Sequence, residues 1–350
     1  MSHQNRHHFH ARPWVIAALL LVSGIGIGLQ LDRFIPADDS DLVITHSPTR
    51  QYPLTIAAQR DRTYPGGQFE VVAQYGPQPG YKLSRITYPS DGFQISGLMA
   101  TPDSPRPLFG YPVIILAHGY VPEERYRTDG PEYRDYIRAF ATAGYVVIKP
   151  DFRGYGTSWG APQSAYYSPA HNADILNLAS SLALYRQVDA ARLGLFGHSM
   201  GGHVALDVVT VAPGRFKAAV VASAGVGQIG DMYARWKPRS DVDNPGAVVE
   251  RNRITKLFGD PAHDPAFWAK VSPLTYARQI TTPLLLSHGT ADRVIPVRYT
   301  QQLSAALTAA GHPATTYILP RAGHVYAGKD QATLIAQSLA LFDHFVKQAP

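Results

Sequence analysis

Hydrophobic residues in this chain fall into short unbroken runs, separated by stretches in which they recur every three or four positions. The runs "YPVIILAHG", "YVVIKPD", "RLGLFGHS", "FKAAVVASAG", "PLLLSHG" and "ATTYILP" have strand length, and the first is continuously apolar, as expected of a parallel strand covered on both faces. Between them, positions 132–143, 172–185, 200–212, 297–310 and 331–347 read as helices, the first stopping at Gly144. Upstream, "SRITYPSDGFQISGLMATP" places two alternating runs around Ser90-Asp91-Gly92, the pattern of a hairpin. Strand and helix in regular alternation predict an α/β fold: a mostly parallel sheet opened by an antiparallel hairpin, with helices on both faces.

Two stretches break the rhythm. Positions 36–82, rich in Pro, Gly, Gln and Asp around the β-like piece "QFEVVAQY", read as a stalk or accessory segment ahead of a domain spanning 83–350. Positions 226–270 are irregular and fall between two strands, so they are expected to form a small cap insert over the sheet. With 350 residues, 45% hydrophobic and 17% charged, the chain has room for one large core.

Charge adds little, because 32 Lys+Arg against 26 Asp+Glu leave +6 spread along the chain without clustering, and no nucleic-acid partner is expected. The absence of cysteine excludes disulfides and thiolate chemistry. The N-terminus is more informative. From Pro13 to Leu31 no residue is charged, Arg6 and Arg12 precede the run, and Asp38, Asp39 and Asp41 follow it. A helix of that length is about 28 Å long, close to the roughly 30 Å of a bilayer core. Positions 1–35 are therefore expected to be a signal anchor that leaves the remaining chain exported. A signal peptide cut near Gly26-Ile27-Gly28, giving a secreted product, is the alternative.

The candidate chemistry lies at the carboxyl ends of strands, where sheets of this kind gather their functional groups. Ser199 ends "RLGLFGHS" and leads directly into a helix; Asp292 follows "PLLLSHG"; His324 follows "ATTYILP" in "AGH". A serine hydroxyl needs a neighbouring base at neutral pH, an imidazole can take and return the proton, and a carboxylate can fix the tautomer of that imidazole. These are the roles expected of Ser199, His324 and Asp292. Gly197 and Gly201 flank the serine, as a tight strand-to-helix elbow requires on steric grounds. The backbone N–H of Met200, at the start of the helix, and that of Tyr120, in the loop after "VIILAHG", are the expected donors to a developing oxyanion. No metal or organic cofactor is expected.

Other residues have plainer readings. His118, His198 and His288 are expected to pack or hydrogen-bond near the site, and Asp151 and Arg153 to brace a loop by a salt bridge. Asp231 is an alternative third partner for His324. Tyr120, Tyr233 and Trp236 are candidate substrate contacts, while Tyr233, Trp236 and Trp268 serve equally well as the core of the cap.

The motifs "HGY", "DFRGYGTSWG", "GHSMGG", "FGDP", "SPLTYARQITTPLLLSHGTADRVIPV" and "AGH" together resemble the α/β-hydrolase superfamily and, within it, the catalytic domain of the prolyl oligopeptidase family of serine peptidases. The resemblance runs from about Ser84 to the C-terminus. It implies Ser199 as nucleophile, Asp292 and His324 as its partners, and Met200 as an oxyanion donor through its backbone. Full-length members of that family carry a β-propeller for which the roughly 80 preceding residues leave no room, and His118 stands where some members place an oxyanion tyrosine. Peptidase activity through an acyl-enzyme is thus the expectation, with carboxylesterase activity on an ester as the alternative. A non-catalytic binding module at the membrane would have no need of all three residues.

Overall fold

A computed structural model describes residues 54–163, 165–166, 168–235 and 245–348. The uncharged N-terminal run and Trp236 lie outside these residues, as does the first part of the expected 36–82 segment. No helix among the described residues is long and apolar enough to cross a membrane.

The centre is one sheet of nine strands: β1 (Glu70–Gln78), β2 (Tyr81–Ser90), β3 (Phe93–Pro102), β4 (Tyr111–Ala117), β5 (Val146–Pro150), β6 (Val188–His198), β7 (Ala218–Ala222), β8 (Leu284–Gly289) and β9 (Thr315–Leu319). Their order is β1-β2-β3-β5-β4-β6-β7-β8-β9. The first three run antiparallel and β3 joins β5 antiparallel; every pairing from β5 to β9 is parallel. All residues of β4, β5, β7 and β8 are buried. That burial on both faces is why these strands read as unbroken apolar runs.

The described residues also form nine α-helices: α1 (Ile56–Arg60), α2 (Arg134–Thr142), α3 (Ala170–Ser181), α4 (Met200–Val211), α5 (Ile229–Arg235), α6 (Pro245–Phe258), α7 (Pro265–Val271), α8 (Arg298–Ala309) and α9 (Gly328–Phe342). The last continues as a π-turn over Asp343–Lys347. Every residue of α4 is buried. One hydrophobic cluster, including Val204 and Val208 of α4 and Ile175 and Leu178 of α3, covers one face of the sheet. A second, including Phe140 of α2 and Phe342 of α9 around Phe196, covers the other.

Two sequence expectations change here. The described part of 36–82 joins the sheet: β1 pairs with β2 as an edge strand, and Arg60 of α1 donates to the Thr210 carbonyl at 2.7 Å. β1 escaped the apolar-run criterion because most of its residues are exposed, as on an uncovered edge. The insert between β7 and β8 is helical in its described parts. Its core gathers Ile254, Trp268 and Val271 with Leu54 from the N-terminal side.

The "DFRGYGTS" loop after β5 is braced by salt bridges at Arg153, as expected, and at Asp151 by hydroxyl groups instead. Arg153 reaches Asp174 at 2.7 Å and Asp91 at 2.9 Å, and the Asp151 carboxylate accepts from Ser96, Thr128 and Tyr126. Both groups are buried and serve this loop. Lys149, on the preceding strand, donates to the Tyr126 hydroxyl at 2.8 Å.

Candidate active site

Three strand ends converge at the carboxyl edge of the sheet. Ser199 occupies the single residue between β6 and α4, at φ 57° and ψ −120°. A serine rarely adopts that backbone, and it persists where the surroundings leave no alternative. The surroundings here are specific: the Ser199 N–H is held by the Ala222 carbonyl of β7 at 2.9 Å. A Cβ on Gly197 would lie 2.2 Å from the Gly201 oxygen, and one on Gly201 would lie 2.0 Å from the Ala117 oxygen at the end of β4. The elbow can close only with glycine at both positions.

The serine hydroxyl faces His324. Ser199 Oγ and His324 Nε2 are 2.9 Å apart, and His324 Nδ1 is 2.8 Å from Asp292 Oδ2. A carboxylate only accepts, so Nδ1 carries the proton and Nε2 is left with a lone pair aimed at the hydroxyl. An imidazole held in this way is set to take the serine proton and return it to a leaving group.

Asp292 is saturated with donors. Its Oδ1 accepts the N–H groups of Val294 and Ile295, both at 2.8 Å, and its Oδ2 accepts from His288 Nε2 at 3.1 Å as well as from His324. Burial opposes the charge, but the hydrogen bonds from His288 and His324 outweigh it and hold the carboxyl well below the usual carboxylate range. His288 Nε2 also faces the Ile295 carbonyl at 3.0 Å. Both of its partners are acceptors, so Nε2 must be protonated, and Nδ1 accepts from the Thr300 hydroxyl at 2.7 Å. The hydrogen-bonding reading of His288 thus has a definite object: it is a second histidine on the same carboxylate. Asp231, the alternative partner, pairs instead with Arg298 at 2.7 Å on an exposed part of α5 and α8.

The loop after β4 passes beside the elbow. A Cβ on Gly119 would lie 3.2 Å from Ser199 Cβ, so the backbone of 118–120 runs against the serine. Tyr120 follows directly and is half exposed. Met200 opens α4, and its N–H has no carbonyl four residues back within the helix. These are the two N–H groups expected from sequence to face an oxyanion. The Gly119 N–H is already engaged, by the Tyr133 hydroxyl at 2.7 Å. Nothing in the sequence distinguishes Tyr133, which lies in a polar stretch and is one of twenty tyrosines in the chain.

Of the candidate substrate contacts, Tyr233 packs among residues of the cap. Its hydroxyl meets Thr255 at 2.6 Å, its ring lies 5.5 Å from that of Trp268, and the Arg251 guanidinium sits over it at 4.0 Å. An amphipathic ring finds enough partners inside the cap, and Tyr233 is cap core together with the fully buried Trp268.

Burial also sets the behaviour of three histidines near the site. It holds His118 at about 3, His171 at about 3 and His198 at about 4, against 6.5 for a free side chain. Their folded values lie below the unfolded one, so unfolding takes up protons once the pH falls below about 6.5. The stability they permit is complete above that pH and is lost as pH drops toward 3. Each costs about 1.4 kcal/mol per pH unit in this window, or about 2 kcal/mol at pH 5. His171 stacks on Phe152 at 4.5 Å, and neither of its ring nitrogens has a partner among the described residues. His171→Phe is therefore expected to raise Tm at pH 5 more than at pH 8. Equal shifts at the two pH values in thermal melts would refute this assignment.

An α/β sheet with a serine elbow, and an imidazole and a carboxylate at later strand ends, defines a serine hydrolase of the α/β-hydrolase fold. Residues 131–349 match the prolyl oligopeptidase family, and the chain belongs to it. Among curated relatives, the uncharacterized peptidase YuxL of Bacillus subtilis is 28% identical over 290 residues, which make up 79% of this chain and 40% of the relative. The uncharacterized peptidase YtmA of the same organism is 24% identical over 75% of this chain and 93% of its own length. The chain thus spans less than half of the first relative and nearly all of the second. Among solved structures, an acetyl xylan esterase from Paenibacillus sp. R4 superposes with a TM-score of 0.60 at 18% identity, over 83% of this chain and 95% of its own. The acylaminoacyl peptidase of Pyrococcus horikoshii gives 0.59 at 20% identity, over 77% and 43%. These two share the fold.

Proposed function

We propose that the protein cleaves an ester or amide through an acyl-enzyme. Ser199 is the nucleophile, His324 the general base and then acid, and Asp292 the group that orients and charge-balances the imidazole. The N–H groups of Met200 and Tyr120 receive the oxyanion. The observation that carries this reading is the unbroken line from Asp292 Oδ2 through His324 to Ser199 Oγ, at 2.8 and 2.9 Å. Attack by Ser199 Oγ on the carbonyl carbon forms the C–O bond while its proton passes to Nε2. Collapse expels the leaving group with that proton, and water repeats the sequence to release the acid.

Family membership favours a peptide substrate, and the two Bacillus relatives carry the name peptidase. Carboxylesterase activity is the second reading; it uses the same residues, and an acetyl xylan esterase shares the fold over 95% of its length. Turnover of p-nitrophenyl esters compared with peptide amides separates the two, and ester cleavage with no amide cleavage would remove the peptidase label. A fluorophosphonate should label the wild type, and failure to label would remove the hydrolase reading itself.

We also propose that the uncharged run 13–31 anchors the protein with its hydrolase domain exported, on the strength of the charge pattern around it. A reporter fused after Lys347 that is active only inside the cell would refute this.

A further inference from the structure

One hydrogen-bonded path beside the site has no part in the proton transfer itself. The Gly119 N–H donates to the Tyr133 oxygen at 2.7 Å, Tyr133 Oη lies 2.9 Å from His198 Nδ1, and His198 Nε2 lies 2.9 Å from the backbone carbonyl of His324. The path crosses from the loop after β4, past the residue preceding the nucleophile, to the residue that bears the base.

Its proton positions follow from the partners. A carbonyl only accepts, so His198 Nε2 must carry a proton. Burial keeps the ring neutral down to about pH 4, so Nδ1 is a lone pair through the working range. The Tyr133 hydroxyl therefore donates to Nδ1, and its oxygen is left to accept from Gly119. With the ring neutral, each atom has one role, and no other arrangement of protons satisfies all three contacts.

The backbone supports the same conclusion. Tyr133 sits at φ 63° immediately before α2, in the left-handed region that bulky residues seldom enter. Conformations of that kind cost about 1–3 kcal/mol and survive where surrounding contacts over-determine them. Here they aim the hydroxyl at Gly119. The ring of His198 lies edge-on to that of Tyr133 and tilted against that of His324, at 5.8 and 5.1 Å.

We propose that Tyr133 is a positioning residue for the oxyanion site: through His198 it ties the 118–120 loop to the backbone of His324. The spacing between the loop that offers the oxyanion donor and the base that serves the nucleophile is then fixed by one path rather than by two independent loops. The tie also commits the Gly119 N–H, which leaves the next amide, that of Tyr120, as the loop's donor. The inference rests on the hydrolase reading above.

The test uses the full-length chain, a p-nitrophenyl ester, and a boronic acid that forms a tetrahedral adduct with the serine. Tyr133→Phe keeps the ring and removes the tie. It is expected to lower kcat about 10- to 100-fold with KM within about twofold of wild type, and to weaken the boronic acid by the same factor as kcat/KM. Tyr133→Phe combined with His198→Gln should lose little more than either change alone, since both cut one path. If Tyr133→Phe does not fold, His198→Gln cuts the path from the other side and the same readouts decide. A kcat within twofold of wild type, a loss confined to KM, or an unchanged boronic acid affinity would overturn the proposal while wild-type turnover left the hydrolase reading standing. A wild type that neither turns over ester nor reacts with fluorophosphonate would overturn both.

Discussion

Ser199→Ala is expected to lower kcat by about 10⁴-fold or more and to abolish fluorophosphonate labelling, with Tm close to that of the wild type. In the proposed mechanism the hydroxyl supplies the bond-forming oxygen, and it lies 2.9 Å from His324 Nε2. Alanine keeps the same Cβ in the same strained backbone at φ 57°, so the fold has little to gain or lose. Glycine at that position should behave differently. Ser199→Gly is expected to be as inactive as alanine but more stable by roughly 1 kcal/mol, because glycine occupies positive φ without the steric cost. Residual turnover of Ser199→Ala above about 1% of wild type, once contamination is excluded by titration, would remove the serine from its assigned role. A glycine variant that melts below the alanine variant would contradict the account of elbow strain.

Gly201→Ala should have the largest effect on stability of any single methyl group added here. The new Cβ would stand 2.0 Å from the Ala117 oxygen, 2.4 Å from its carbonyl carbon and 2.6 Å from the His118 oxygen. All three are backbone atoms, so no side chain can swing away. Either α4 or the end of β4 must move by more than an ångström, and both are buried in the middle of the molecule. We expect a loss of more than about 3 kcal/mol, read as a collapse of soluble yield or a large drop in Tm. Any protein that still folds should be impaired in kcat, since the displaced segment is the one that brings 118–120 to the serine. Gly230→Ala is the matching control: among the described residues its Cβ would meet only the Pro261 side chain at 3.6 Å, an ordinary contact, and its Tm should barely change. A Gly201→Ala protein that melts within 2 °C of wild type would show that the close approach relaxes more easily than its geometry implies.

The parts of this molecule that are legible in the sequence are those with a strong physical requirement. Strands buried on both faces admit almost nothing polar, so β4, β5, β7 and β8 stand out by their apolar runs. The serine elbow is legible because it tolerates nothing larger than glycine on either side, and Asp292 and His324 because they follow the next two strands in order, although only β8 of the two is fully buried. What stays hidden depends on contacts between distant residues. β1 is an exposed edge: its β-like residues are visible in the sequence, but nothing local shows that they pair with β2. The tie from Gly119 to His324 needs the backbone angle of Tyr133, which no local pattern announces. His288 is visible as a polar residue in an apolar strand, yet its second bond to Asp292 requires the chain to turn back within four residues. Tyr233 shows a different limit: an aromatic residue in a cap has the same composition signal whether it meets substrate or another cap helix.

The irregularity of β1 has a consequence for how copies of the protein behave beside one another. Its pairing with β2 slips between Val71 and Ala73 and again between Gln74 and Gly76, so Val72 and Tyr75 are each an extra residue with no partner across the ladder. Val71, Val72 and Tyr75 are also partly exposed there. A straight edge bearing these side chains would invite the same edge of a second molecule to zip alongside it. Two bulges in nine residues bend and twist the strand, so that its outward amides and carbonyls no longer fall at the even spacing a neighbouring strand needs. The sheet thus ends at β1 by geometry rather than by charge, and the greasy side chains on that rim remain compatible with a molecule that stays separate from its copies at high local concentration.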